Sequence, residues 1–157
     1  MALVLHQSLL LIMIYLTLIT PGMTSAQETH PANGLDQYRW QNRLLIVSGP
    51  SDDTEQAEAV VKQFLQSVEE MQNRKMLLLL AYEGIATKLN GSTLTVELSE
   101  EELSRYVMTS GVFQISLVGL DGQVKRTWNK PPNPAEVFEI IDSMPMRMNE
   151  IRKKKKE

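Results

Sequence analysis

Two apolar runs, residues 44–47 (LLIV) and 76–82 (MLLLLAY), stand on either side of an amphipathic stretch, and this spacing constrains the fold more than any other feature. The first run is partly β-branched, has the length of a strand, and is stopped by Gly49 and Pro50. Asp52 or Asp53 then opens a helical pattern, with Ala57, Val60, Val61, Phe64, Leu65, Val68 and Met71 on one stripe of about five turns. Asp52 with Glu55, and Asp53 with Gln56, have capping-box spacing, and acids in a first turn suit the helix dipole. The helix is expected to end near Asn73. The second run is too short for another helix and reads as a strand buried on both faces, parallel to the first. Strand, tight turn, helix and parallel strand make a βαβ unit, whose ligands usually sit at the carboxyl end of the first strand.

The rest of the chain extends this unit. Residues 83–98 read as a hairpin, 85–89 and 93–98 joined at the turn dipeptide Asn90-Gly91. Asn90-Gly91-Ser92 is also a glycosylation sequon, a weaker reading of the same residues. Ser99-Glu100-Glu101-Glu102 is a capping box for a short helix with Leu103, Tyr106 and Val107 inward, ending near Gly111. Residues 113–120 and 123–128 flank Asp121-Gly122, which predicts a hairpin with a type I′ turn. Asn133 and Pro134 start a last helix with Val137, Phe138, Ile141 and Met144 inward, and Pro145 is expected to end it. The order is strand, helix, strand, hairpin insertion, helix, strand, strand, helix. The fold class is α/β, a thioredoxin-like sandwich around a central mixed sheet.

The N-terminus reads as a secretory signal. Residues 9–19 (LLLIMIYLTLI) are an apolar core of signal length, and Thr24 and Ala26 fit a cleavage site. His6, Gln7 and Ser8 interrupt the run and leave it short for a bilayer anchor. The expectation is an exported protein, periplasmic or extracellular after cleavage near Ala26. Residues 27–36 (QETHPANGLD) are expected to be a disordered lead-in, 37–148 the folded domain and 149–157 a basic tail. Tyr38-Arg39-Trp40 reads as a short extended piece with its aromatics on one side.

Composition excludes several chemistries. The chain has no cysteine, so disulfides, thiolate catalysis and cysteine-ligated zinc are out. Its histidines are His6 and His30, both ahead of the expected domain, so Ser-His pairs and histidine metal sites are unavailable within it. Net charge is −3, but the tail from Arg152 contributes +4, which leaves −7 on everything before it. An acidic body argues against nucleic acid as a partner. No cofactor is expected.

Several ordered motifs resemble a known family, DUF4174, from about Leu35 to Arg152. They are Tyr38-Arg39-Trp40 with Arg43, Gly49-Pro50-Ser51-Asp52-Asp53, Gly119-Leu120-Asp121-Gly122, and Asp142-Ser143-Met144-Pro145-Met146-Arg147. The resemblance implies a peroxiredoxin- or thioredoxin-like fold with its sheet in the order second, first, third, fourth strand. It implies small exported bacterial proteins and animal extracellular-matrix relatives, and it assigns no biochemical activity. Where active thioredoxins carry redox cysteines, this chain has Gly49-Pro50-Ser51-Asp52-Asp53, and Gln114 falls where their cis-proline precedes the third strand. Thiol–disulfide exchange needs a thiolate, so this chain cannot perform it alone.

These readings point to a redox-inert binding or interaction module whose partner is an unidentified protein or small ligand. The candidate binding surface comprises Arg39, Trp40, Arg43, Ser51, Asp52, Asp53, Gln114 and Arg147. Each has a plainer role. Ser51, Asp52 and Asp53 could ligate a hard cation, but helix capping already accounts for them. The arginines could bind a carboxylate or phosphate, or pair with the chain's own acids: Arg147 with Asp142 or Glu150, Arg43 with Asp36. The alternative is an enzyme or metal-handling protein using Asp52 and Asp53, or the thioethers of Met144, Met146 and Met148 as soft copper ligands. The basic residues 152–156 could associate weakly with an anionic surface.

Overall fold

The structure is a computed structural model that describes residues 34–50, 54–82, 85–90, 94–106 and 111–156. A 3-10 helix (Gly34–Tyr38) leads into β1 (Arg43–Ser48), and two helices follow, α1 (Thr54–Leu65) and α2 (Val68–Asn73). Then come β2 (Met76–Tyr82), β3 (Ile85–Lys88), β4 (Leu94–Glu97) and α3 (Glu100–Arg105). The chain closes with β5 (Gln114–Val118), β6 (Val124–Trp128), α4 (Pro134–Asp142) and α5 (Pro145–Lys154).

All six strands share one sheet in the order β4-β3-β2-β1-β5-β6. Without the β3–β4 insertion this is second, first, third, fourth, as the resemblance implied. β1 runs parallel to β2, with Leu45 opposite Leu78, and antiparallel to β5, with Ser48 opposite Gln114. Every residue of β1 is buried, because helices or loops cover both faces of the sheet. The two-residue period of a strand divides its side chains between two cores. Leu45 and Val47 meet Val60, Phe64, Met71, Val137 and Ile141 on the side of α1, α2 and α4. Leu44 and Ile46 meet Leu35, Tyr38, Leu98 and Tyr106 on the opposite face.

Local signals set most of the boundaries. The α3 capping box forms in both directions, Ser99 Oγ accepting from Glu102 N and the Glu102 carboxylate accepting from Ser99 N. Asn133 Oδ1 accepts from Ala135 N with Pro134 in the first helical turn of α4. The capping expectations for Asp52 and Asp53 lie outside the described residues, as do the signal sequence and most of the lead-in.

Five expectations change. The amphipathic stripe is two helices, because the chain tightens at Ser67, whose N–H donates to Phe64 O three residues back. The β5–β6 turn is not type I′, since neither Leu120 nor Asp121 has positive φ. It is a three-residue loop in which Gly122 N donates to Gly119 O and Gly122 itself takes φ +76°. In the β3–β4 hairpin, Lys88 pairs with Leu94, so five residues connect the strands rather than a two-residue turn at Asn90-Gly91. Asn90 is buried, its Oδ1 accepting from Leu78 N and its Nδ2 donating to Met76 O along the β2 edge that β3 no longer covers. Pro145, expected to end the last helix, instead opens α5, so residues 149–154 are helical rather than tail.

The fifth change is at the start. Residues 34–38 are a 3-10 helix, not lead-in and extended chain. Leu35 is buried, and its N–H donates to Glu102 Oε1 at 2.6 Å, so the capping carboxylate of α3 also fastens the beginning of the fold. Gly34 makes this approach possible: its φ is +48°, and a Cβ there would clash with the Glu102 carboxylate. Gly34→Ala is therefore expected to cost about 1–3 kcal/mol from backbone strain alone, with the Glu102 contact adding to it. The readout is the urea midpoint. Tyr38→Phe should be neutral or stabilising by up to about 1 kcal/mol, because the buried Tyr38 hydroxyl has no partner among the described residues.

Candidate functional site

The structure divides the candidate residues among three places. The first is the carboxyl end of β1, where the fold's usual ligand site lies. Ser48 is nearly buried and donates from Oγ to Gln114 O at 3.2 Å. Gln114 Nε2 donates to Ser116 Oγ at 3.2 Å, and Ser116 Oγ donates to Tyr106 O at 2.9 Å. These groups form a polar seam along the ends of β1 and β5, backed by the buried Tyr106, whose phenol burial pushes above its ordinary value. Gly49 lies against Phe113, and Val112 is half exposed beside it. Gly49, Pro50, Val112 and Gln114 thus rim a mouth at this end. Ser51, Asp52 and Asp53 continue from Pro50 and lie outside the described residues. Chemically the seam offers hydroxyl and amide groups already bonded to one another, and among the described residues no base bonds to Ser48 or Ser116.

The second place is a charged joint at the opposite end of β1. Arg43 is fully buried on the helical side, donating from Nη1 to Arg74 O at 2.8 Å and facing Glu150 at 3.4 Å from both terminal nitrogens. Its partner is Glu150, not Asp36; Asp36 pairs with Arg105 instead. Arg147, also buried, donates from Nε to Asp142 Oδ1 at 3.0 Å and from Nη1 to Asn73 O at 2.7 Å and Glu150 Oε2 at 3.3 Å. Arg74 bridges Glu70 and Asp142 while stacking over the Phe138 ring at 4.7 Å. The two buried guanidiniums therefore satisfy the last carbonyls of α2, where cations suit the helix dipole, and tie β1, α2, α4 and α5 together. Both candidate arginines here are turned inward and held by internal partners.

The third place is a corner formed by Tyr38-Arg39-Trp40 and the β5–β6 turn. Trp40 N donates to Leu120 O at 2.7 Å, which holds Trp40 at φ +65°, a rare conformation for a bulky residue. The Arg39 side chain donates to Asp121 O at 3.1 Å, packs on Gly122, and lies 5.5 Å from the Trp40 ring centroid. Trp40 itself is 59% exposed. This corner and the mouth are at opposite ends of β1, about 17 Å apart along a six-residue strand. Arg39 and Trp40 therefore do not share a surface with Gln114.

The methionine cluster does not assemble. Met144 packs against the helical-side core, and Met146 and Met148 sit two residues apart on α5, which turns them to different sides of the helix. Among the described residues no three carboxylate or histidine side chains converge as a metal site. The charged joint was missed as a unit from sequence; the only local hint was arginine three residues before Glu150 and five after Asp142.

Burial pushes the Asp142 carboxyl up, but hydrogen bonds from Arg74 and Arg147 outweigh it and hold the group below its ordinary range. A depressed carboxyl contributes stability above its unfolded value, and that contribution disappears as pH falls through the folded value. Urea midpoints should therefore drop on acidification below about pH 4, with Asp142→Asn showing a lower plateau and a shallower acid limb. Glu150→Gln, which leaves Arg43 buried without its counter-charge, should cost about 3 kcal/mol at neutral pH by the same measurement.

The chain matches the family described as a domain of unknown function, DUF4174, over residues 34–150. Coiled-coil domain-containing protein 80 of Danio rerio is 26% identical over 150 residues, covering 83% of this chain and 17% of that protein. The chain thus spans less than a fifth of that relative's length. Among solved structures, reduced 2-Cys peroxiredoxin of Plasmodium vivax superposes with a TM-score of 0.51 at 12% identity, covering 73% of this chain and 72% of its own. The mitochondrial 2-Cys peroxiredoxin of Plasmodium falciparum gives 0.47 at 14%, covering 69% and 79%. The first of these, with the β2-β1-β5-β6 order, gives a thioredoxin-like fold. The motifs that compose the charged joint, the corner and the mouth all fall within the matched span, and the chain belongs to the DUF4174 family.

Proposed function

We propose that this chain is an exported, redox-inert thioredoxin-like domain that works as a binding module through the mouth at the carboxyl end of β1. One observation carries the reading: the fold's ligand-binding end is retained while the chain contains no cysteine to do redox chemistry there. The rim of Gly49, Pro50, Val112 and Gln114 offers apolar and amide contacts, and Asp52 and Asp53 follow directly in sequence. A protein segment or small polar ligand fits such a rim better than a reacting substrate, since Ser48 and Ser116 are engaged with backbone carbonyls. Export rests on the apolar core of residues 9–19 and the small residues before Gln27.

The test places a photo-crosslinking amino acid at Val112, half exposed on the rim, in the full chain expressed in its native host. The expected outcome is one dominant adduct in the exported fraction. It should be lost when Asp52→Asn, Asp53→Asn and Gln114→Ala are combined, at a urea midpoint that shows the variant folded. The same crosslinker at Thr127, exposed on β6, should not capture it. Absence of an adduct at Val112, or an adduct indifferent to the triple change, would overturn the reading.

A further inference from the structure

The charges at the end of α5 are clustered in sequence, five basic residues in a row. Arg43, Arg74, Arg105, Arg147 and Lys125 each meet a carboxylate. Arg152, Lys153, Lys154, Lys155 and Lys156 are all exposed, and none forms an ion pair among the described residues. Glu150 fixes where they go. Its carboxylate meets Arg43 at the start of β1 and lies 4.0 Å from Lys75 Nζ, so α5 reaches the end of the sheet at that residue. The four helical residues after it extend α5 by about 6 Å and carry the basic turn.

That end also displays Trp40. It precedes β1 by three residues, and the hydrogen bond from its own N–H to Leu120 O holds it out toward solvent. Arg39 beside it and Lys75, more than half exposed, add positive charge. The acids in the vicinity, Asp121 and Glu70, are already paired with Lys125 and Arg74. On α5, Arg152 stands one turn above the exposed Met148, and Lys153 two turns beyond the exposed Met146. Apolar side chains thus flank the basic face.

We infer that this end of the molecule docks on an anionic phospholipid bilayer, with the basic turn of α5 drawn to the head groups and Trp40 lodged at the interface. Arginine and lysine supply attraction that falls away within a Debye length, so the acidic body, facing outward, does not cancel it. An exposed tryptophan with a polar edge is suited to the head-group level. The apolar component favours a bilayer over a soluble polyanion, which has no use for Trp40, Met146 or Met148. This surface is separate from the mouth and independent of what the mouth binds.

The experiment is co-sedimentation of the full chain with phosphatidylserine-containing and with pure phosphatidylcholine vesicles at physiological salt. The ratio of the two cancels any contribution of the apolar residues 9–19, common to both. The anionic vesicles should bind about tenfold more tightly or better, and Arg152→Gln, Lys153→Gln and Lys156→Gln together should abolish the preference. In a Trp128→Phe background, the remaining Trp40 emission should shift to the blue on the anionic vesicles, and Trp40→Ala should weaken binding several-fold. Equal binding to both vesicles, or a preference that survives the triple change, would overturn the inference. So would binding without a Trp40 shift that dextran sulfate displaces, because it would assign the surface to a soluble polyanion.

Discussion

A fully buried guanidinium sits at the first position of the central strand, and much of the fold is arranged to answer its charge. Burying the Arg43 guanidinium obliges the protein to bring it both a carboxylate and a carbonyl. Glu150 comes from α5, 107 residues away, and Arg74 O from the end of α2. Once Glu150 is in place, Arg147 is too, and with it Asp142 at the end of α4. The last two helices are thus bound to the first strand through charge as well as through apolar contact. An ion pair of this kind specifies an arrangement more than it stabilises one, since a hydrophobic joint of equal volume would avoid desolvating the charges.

What was legible in the sequence follows the range of each interaction. Capping at Ser99 and Asn133, the apolar strands and the apolar face of the helical stripe depend on neighbours within a few residues, and all were readable, though the break at Ser67 was not. Pro145 was not, because proline is equally at home after one helix and in the first turn of the next. The decision between those lies in the bond from Arg147 to Asn73 O, which spans 74 residues. Arg43 was paired in sequence with the nearest acid, Asp36, whereas the fold supplies a distant one. The same limit applies to Gly34, whose need for positive φ arises only when Glu102 is brought against it.

The separation of the candidate residues could have been reasoned out further from topology. β5 runs antiparallel to β1, so its first residue, Gln114, must lie beside Ser48, while the turn after it must return to the other end. The motifs Tyr38-Arg39-Trp40 and Gly119-Leu120-Asp121-Gly122 belong together for this reason. Arg43 and the Asp142-to-Arg147 motif likewise close on each other. Most of what marks the family in this chain is therefore accounted for by construction of the fold. Gly49-Pro50-Ser51-Asp52-Asp53 is the motif without such an account, and its described residues, Gly49 and Pro50, lie at the mouth.

Asn90 acts as an additional rung of the sheet: its carboxamide supplies one donor and one acceptor to the β2 backbone, as a strand residue would. The same nitrogen is the atom to which an oligosaccharide would be joined in a eukaryotic secretory pathway. Sugar transfer and closure of the β2 edge are thus competing fates for a single amide. A chain that folds before the transferase reaches it is protected by its own sheet. A chain modified first would keep one amide N–H and the amide oxygen, but it would have to seat the sugar where Asn90 is buried against the β2 edge.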